Sequence, residues 1–195
     1  MTLLRTTLLT LFPALALASC GQPAPAPPLE GATIGGEFDL TGEDGSTVRW
    51  SDFTGRYRIV YFGFTYCPDV CPTDVQRAMA GLRAFAAEEP DLAEQIQPLF
   101  VSVDPERDTP EKLTEFTDNF HPRLIGLTGT PEQIEEAKTA FAIYSGRGED
   151  QPGGGYLVDH SNITYLFGPS GEPLATLPTD QGPEAVAQEL AKWVR

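Results

Sequence analysis

The chain is poor in soft metal ligands and in positive charge. Its 195 residues include three cysteines, two histidines and two methionines, and 13 Lys and Arg stand against 28 Asp and Glu. The formal charge of −15 argues against nucleic acid and anionic headgroups as partners, because an acidic surface is repelled by both. With so few ligands, a methionine-rich metal site is excluded.

The amino terminus is predicted to be an export signal. Residues 1–19 carry one basic residue, Arg5, followed by an apolar stretch from Leu8 to Ala18 that is too short for a spanning helix. Small residues stand immediately before Cys20, a pattern that resembles the lipobox of bacterial lipoproteins. We therefore expect Cys20 to be lipidated and to anchor the protein to a membrane of the bacterial envelope, outside the cytosol. An ordinary cleaved signal is the alternative, and it also exports the protein.

Export divides the chain into three predicted parts. Residues 1–19 form the signal, and residues 20–33 form the lipidated cysteine with a Pro/Ala-rich tether, which lacks a core of its own. Residues 34–195 remain for a single domain, a length sufficient for a sizeable hydrophobic core.

Two cysteines, Cys67 and Cys71, are left for chemistry in the mature chain. They lie between a predicted buried strand, Tyr57–Phe62, and a predicted helix, Pro72–Glu89. Free N–H groups and the dipole at a helix start stabilise thiolate, the form that attacks disulfides and binds soft metals. Outside the cytosol such a pair can oxidise, but a bridge over three residues closes too small a loop to stabilise the fold much. A functional pair is therefore favoured over a structural disulfide.

The rest of the sequence alternates strand and helix patterns, which predicts a three-layer α/β domain. The expected elements are an opening hairpin (37–50), strands at 96–103 and 124–127, helices capped by Thr109 and Thr130, a late hairpin (163–177) and a closing helix from about Pro183. The segment Ser145–Gly155 is rich in Gly and charge, and we expect it to be a mobile surface loop inserted late in the domain.

Four motifs in this order resemble the Sco/SenC family of copper-handling, thioredoxin-like proteins. They are Cys67–Pro72, Val103–Pro110, Phe120–Pro122 with Ile125–Gly129, and Asp159–Ser161. The resemblance covers about residues 34 to 194. It implies a thioredoxin-like three-layer α/β fold with a central mixed sheet, an N-terminal hairpin and the late loop insertion.

The resemblance also implies a copper site. In that family the two motif cysteines and the histidine of the Asp-His-Ser segment bind one copper ion, and these correspond here to Cys67, Cys71 and His160. The residue types agree, because Cu(I) favours thiolates and an imidazole allows the same site to tolerate Cu(II). Zinc normally takes a fourth ligand, and the sequence offers none that is obvious. Met79 has helical spacing and is predicted to lie in the core.

Three other polar residues near these motifs have alternative interpretations. Asp69 and Asp159 are candidates to orient the ligands or to tune their pKa values, although simple exposure to solvent explains each equally well. His121 precedes a proline where a helix is expected to end, and capping or packing is favoured there over metal binding.

The resemblance implies a metallochaperone that delivers copper to the dinuclear copper centre of cytochrome c oxidase subunit II, with other periplasmic copper chaperones or thioredoxin-like reductants as further partners. Two alternatives stay open: a thiol:disulfide oxidoreductase that reduces the copper-ligand cysteines of the oxidase, and a copper or redox sensor. Thioredoxin-type enzymes have two residues between their cysteines and a proline before the late strand. Here the gap is three, and Asn162–Thr164 has no proline. An enzymatic activity is thus possible, but a metallochaperone is favoured.

Overall fold

The computed structural model describes residues 25–151 and 154–195, so the predicted signal, Cys20 and the first part of the tether lie outside the described residues. The strands are β1 (Asp39–Gly42), β2 (Thr47–Arg49), β3 (Tyr57–Gly63), β4 (Ile96–Ser102), β5 (Ile125–Thr128), β6 (Ser145–Asp150), β7 (Tyr156–His160), β8 (Thr164–Phe167) and β9 (Pro173–Thr176). The α-helices are α1 (Val70–Glu88), α2 (Pro90–Ala93), α3 (Pro110–Thr117), α4 (Pro131–Ala140) and α5 (Pro183–Trp193). Short 3-10 turns cover Trp50–Phe53 and Thr179–Gln181.

Seven strands form one mixed sheet in the order β2-β1-β5-β4-β3-β8-β9. The central strands β3, β4 and β5 are parallel, and the strands on both sides of them are antiparallel. Every residue of β3 and β4 is buried, as expected for parallel strands covered on both faces. The predicted central mixed sheet and N-terminal hairpin are confirmed.

Aromatic side chains show that helices cover both faces of this sheet. Tyr61 and Phe100 are register partners on β3 and β4, and their rings stack with centroids 6.2 Å apart. Phe100 packs on Phe116 of α3 at 4.7 Å. Phe62, which points to the opposite face, packs on Phe141 at the end of α4 at 5.3 Å. The predicted three layers are therefore present.

Both predicted threonine caps are confirmed. Thr109 Oγ1 accepts the backbone N–H of Lys112, and Thr130 Oγ1 accepts that of Gln133. A proline follows each cap at the first helical position, where its missing N–H costs no hydrogen bond. No helix in the described ranges is both long and apolar enough to cross a membrane.

The late insertion differs from its prediction. The Ser145–Gly155 segment was expected to be a loop, but its first six residues form β6, which pairs antiparallel with β7 in a separate two-stranded sheet. Strand β6 is held by backbone pairing with β7 and not by burial. Its glycines and charged residues therefore lack the alternating apolar pattern that predicts a strand from sequence. The last part of the predicted tether is also in contact with the domain, since the N–H of Leu29 donates to Leu174 O.

Helices α1 and α5 pack closely against each other at Gly81. A Cβ built at this position would lie 2.5 Å from Val186 Cβ on α5 and 2.8 Å from the carbonyl oxygen of Pro183. Real Cβ atoms do not approach that closely, so only glycine allows the two helices to meet here.

We expect Gly81→Val to lower the free energy of unfolding by about 2 kcal/mol or more, because the added atoms force α5 away from α1. Ala84→Val on the exposed side of the same helix is the matched control, and it should cost only about 0.5 kcal/mol of helix propensity. Urea denaturation measures both variants. Equal losses would contradict the tight contact.

Candidate metal centre

The two cysteines lie at the carboxyl end of β3, as predicted. Cys67 is in the loop after the strand, where its N–H donates to Phe64 O, and Cys71 is in the first turn of α1. The backbone N–H of Cys71 points at Cys67 Sγ at 3.3 Å. The helix start thus supplies a donor to the first sulfur.

His160 ends β7 and joins the cysteines from a distant part of the chain. Its Nε2 lies 3.2 Å from Cys71 Sγ, and its Nδ1 lies 3.0 Å from the carbonyl oxygen of Ser161. The ligand atoms of Cys67, Cys71 and His160 all lie within 4.8 Å of one another. The structure therefore brings together the three residues that the sequence analysis selected as ligands.

Aromatic rings and one glycine shape the walls of this site. Phe64 and Tyr61 meet the imidazole of His160 edge-on, with centroids 5.7 and 6.3 Å away. A Cβ at Gly63 would lie 3.0 Å from Cys71 Sγ and 2.8 Å from the ring of Tyr61. Glycine at this position thus leaves room for the second sulfur, which is fully buried.

The two thiols differ strongly in acidity. A hydrogen bond from the Cys71 thiol, with further help from His160 and from the N–H groups of Asp69 and Cys71, lowers the pKa of Cys67 to about 4 despite its burial. The same hydrogen bond and burial raise the pKa of Cys71. Without metal, Cys67 is therefore the thiolate and Cys71 holds the shared proton.

Three further ionisable groups surround the sulfurs. Burial opposes a charge on His160, but its interactions with Cys67 and with the Ser161 carbonyl raise its pKa above the ordinary value. Burial also raises the pKa values of Tyr61 and Asp74, and the Tyr61 hydroxyl donates to Asp74 Oδ2 at 3.4 Å. Neither Tyr61 nor Asp74 belongs to a motif from which the site was predicted. A hydroxyl in an apolar strand and a carboxylate on the apolar side of α1 were the available signals.

A buried carboxylate, Asp108, joins the loops that follow β3 and β4. It accepts the N–H and hydroxyl of Thr65 and the hydroxyl of Ser102, the last two at 2.7 Å. Burial raises its pKa, and the hydrogen bonds from these three donors compensate for the loss of water. Asp108 belongs to the predicted Val103–Pro110 motif, although no role had been assigned to it.

The remaining candidates lie apart from the sulfurs. Asp69 and Asp159 are exposed, and neither carboxylate is hydrogen bonded to a ligand candidate among the described residues; a role in orienting the ligands stays a prediction. His121 Nδ1 accepts the N–H of Arg123 in the turn that follows α3, a local structural contact and not a metal contact. Met79 is buried in the core, as predicted.

The donor set of the site is two sulfurs and one imidazole. In the part of the chain that the structure describes, these three residues are the only group of Cys, His and acidic side chains close enough to share an ion. Thiolate and imidazole ligands favour a soft metal. Three donors suit a metal of low coordination number better than they suit zinc, which normally takes four ligands in a tetrahedron.

Comparison with known proteins matches the chain to one protein family over most of its length. The SCO1/SenC family model matches residues 26–195. Protein SenC of Rhodobacter capsulatus is 46% identical over 160 residues, which are 82% of this chain and 70% of that protein. The mitochondrial SCO1 homolog of Homo sapiens is 37% identical over 83% of this chain, but the match spans only 53% of the human protein.

Solved structures agree with the sequence comparison. The structure of Bradyrhizobium japonicum ScoI with copper bound has a TM-score of 0.73 and 34% identity, and the match covers 82% of this chain and 99% of that one. Together with the sheet order, this likeness confirms the predicted thioredoxin-like α/β fold.

The acidity difference predicts selective alkylation of the reduced, metal-free protein. Iodoacetamide should modify Cys67 first, at a rate that changes little between about pH 5 and about pH 8, because the thiolate is fully formed over this range. Cys71→Ala removes the main hydrogen bond to that thiolate, so the rate should then rise with pH. Mass spectrometry of peptides after timed quenching identifies the modified cysteine. Faster modification of Cys71 would contradict the assignment.

Proposed function

The chain belongs to the SCO1/SenC family, and on that basis we propose that it is a metallochaperone that binds copper and serves the assembly of cytochrome c oxidase. Copper is its cargo, held by Cys67, Cys71 and His160. The recipient is the dinuclear copper centre in subunit II of the oxidase.

The convergence of three donor atoms in one small site carries this proposal. Two thiolates and one imidazole form a set that accepts both copper valences, and the related ScoI of Bradyrhizobium japonicum has been solved with copper bound. A cation would replace the proton that Cys67 and Cys71 share, so copper binding should release protons. Both cysteines are buried and the imidazole packs against Phe64 and Tyr61, so the site would limit the access of water to bound Cu(I).

The surface beside the site supports transfer to a protein partner. Three large apolar side chains of the described residues are exposed, namely Tyr66, Val70 and Tyr144. Tyr66 and Val70 each precede one of the cysteines, and the backbone of Tyr144 is hydrogen bonded to Ser161, the neighbour of His160. An apolar rim around a metal site is suited to a partner that docks there to receive the ion.

The proposal includes a location outside the cytosol. Residues 1–19 would act as the signal, Cys20 as the lipidated anchor, and residues 20–33 as the tether that holds the 34–195 domain beside the membrane. A lipid anchor would hold the domain at the membrane, and export would place its two thiols outside the cytosol. Both fit a protein that meets a membrane-bound oxidase. Other periplasmic copper chaperones or thioredoxin-like reductants would complete the route.

One observation favours a second candidate function. Cys67 is a thiolate at a helix start, and its partner thiol holds the shared proton, which is how a dithiol reductase arranges its attacking and resolving cysteines. The alternative is therefore a thiol:disulfide oxidoreductase that keeps the copper-ligand cysteines of the oxidase reduced. His160 has no necessary part in that reaction.

We expect the reduced protein to bind one copper ion per chain, measured by metal analysis after anaerobic gel filtration. Replacing both Cys67 and Cys71 by Ser should abolish binding. His160→Ala should weaken the affinity at least about tenfold, since changes to groups behind metal ligands already cost this much, and it should alter the Cu(II) spectrum. His121→Ala is the matched control and should change neither. Stoichiometric copper in the double cysteine variant would refute the site.

Oxidase activity in cells separates delivery from reduction. If copper delivery is the function, deleting the gene should lower activity at limiting copper, added copper should partly restore it, and His160→Ala should resemble the deletion. If thiol reduction is the function, an external thiol reductant should restore activity, added copper should not, and His160→Ala should be nearly silent. Rescue by the reductant together with a silent His160→Ala would rule out the chaperone.

A further inference from the structure

His160 is carried by a hairpin that is not part of the main sheet. Strands β6 and β7 pair only with each other, whereas Cys67 and Cys71 are attached to the central strand β3 through short connections. The pairing of β8 with β3 brings the end of β7 to the edge that carries the cysteines, but no strand pairing fixes the hairpin itself against the main sheet. Other contacts have to do so.

Tyr156 makes hydrogen bonds that do so, while Val158 on the same strand is buried in the core. Apart from the bonds of His160 to Cys71 and to its neighbour Ser161, the side-chain and backbone hydrogen bonds that join described residues between 145 and 160 to the rest of the domain all involve Tyr156. Its hydroxyl donates to Asp104 Oδ1 at 2.8 Å and lies 3.3 Å from Glu106 Oε2, and its carbonyl oxygen accepts from Arg107 Nη1 at 2.9 Å. These partners follow β4, on the same side of the domain as the cysteine loop.

Arg107 joins the two halves of the site. Its Nε and Nη2 both lie 2.5 Å from Oδ2 of the buried Asp104, and its guanidinium stacks 3.7 Å from the ring centroid of Tyr156. The same group lies 5.0 Å from the ring of Tyr66, immediately before Cys67. Arg107 thus contacts both the loop that carries the first cysteine and the strand that carries the histidine.

A second arginine provides a contrast within the same hairpin. Arg147 stacks 3.6 Å from the ring centroid of Tyr156 and pairs with Asp150 at 2.8 Å. Two guanidinium groups this close to one ring must lie on opposite faces. Arg147, however, bonds only within the hairpin, so its loss does not detach β7 from the domain.

We propose that Asp104, Arg107 and Tyr156 form a clamp that holds the hairpin against the domain and so positions His160 for copper. Arg107 is a positioning residue and does not itself bind the metal. This inference rests on the proposed function, because it concerns the same Cys67, Cys71 and His160 site.

The chemistry of the three side chains suits this role. One carboxylate oxygen of Asp104 accepts a hydrogen bond from Arg107 Nε and forms an ion pair with Nη2, and the other accepts the phenol, so a single buried acid holds both partners. Burial, followed by the bond to Asp104, raises the pKa of Tyr156 to about 12, which keeps its hydroxyl a donor. A lysine at position 107 would keep the charge but lose the planar fork and the stacking.

The clamp can be tested without metal by amide hydrogen exchange. In the purified full-length, metal-free protein, Arg107→Gln should speed exchange in residues 156–160 about tenfold or more, because the hairpin loses its attachment. Arg147→Gln is the matched control, and it should leave that segment close to wild type. Unchanged protection of residues 156–160 in Arg107→Gln would overturn the proposal.

Measurements of copper affinity test whether the clamp acts through His160. We expect Arg107→Gln to weaken copper affinity about tenfold or more and to shift the Cu(II) spectrum toward that of His160→Ala. In the His160→Ala background the same change should cost almost nothing, since there is no imidazole left to position. Equal losses in both backgrounds would mean that Arg107 acts on the cysteine loop or on stability, and would reject the clamp.

Misfolding of Arg107→Gln and failure of the wild type to bind copper can each be distinguished from failure of the clamp. If Arg107→Gln does not fold, Tyr156→Phe removes only the hydroxyl with its bonds to Asp104 and Glu106, and it should loosen residues 156–160 in the same direction. Unchanged exchange there would overturn the proposal. If the wild-type protein binds no copper, the proposed function fails, and the exchange experiment still decides whether the clamp holds the hairpin.

Discussion

The parallel pairing of β3 with β4 is the constraint on which the rest of the site depends. Both strands are buried along their whole length, and parallel strands bring their carboxyl ends to one edge of the sheet. The cysteine loop follows β3, the Asp104–Asp108 segment follows β4, and Asp108 bonds the two loops together. Strand β8 runs antiparallel to β3, so its start, just after His160, reaches the same edge. Three distant segments of the chain are thereby forced to meet.

Burial makes this meeting electrostatically demanding. Two sulfurs lie in a site from which water is largely excluded, so without a cation they share one proton: Cys67 is ionised, and Cys71 stays protonated. The buried acids nearby are each paired, Asp104 with Arg107 and Asp108 with hydroxyl and amide donors. A bound cation would allow both thiols to ionise and would remove their competition for the proton. The same asymmetry is what thiol exchange requires, and this is why copper binding and dithiol chemistry are both compatible with one loop.

Much of the fold could be predicted because its signals are local. Apolar β-rich runs identified β3 and β4, a threonine followed by proline identified the starts of α3 and α4, and the position of Cys67 and Cys71 at the end of a strand and the start of a helix was correct, although α1 begins at Val70 and so includes Cys71. Strand β6 was missed, because Gly and charged residues give no burial pattern and its order comes from pairing with β7. The contact between Arg107 and Tyr156 was missed for a similar reason. The two residues are 49 positions apart in the chain, and no sequence periodicity connects them.

The amino-acid sequence alone determined the chemical types available, two thiols beside a helix start and very few histidines, and its ordered motifs indicated the family. It also determined the alternation of strands and helices, since hydrophobic periodicity is a property of neighbouring residues. Only the tertiary structure decided that His160 lies 3.2 Å from Cys71 Sγ, which thiol keeps the proton, and how the hairpin is held. Those depend on burial and on distances between remote segments, which arise when the chain folds around the sheet.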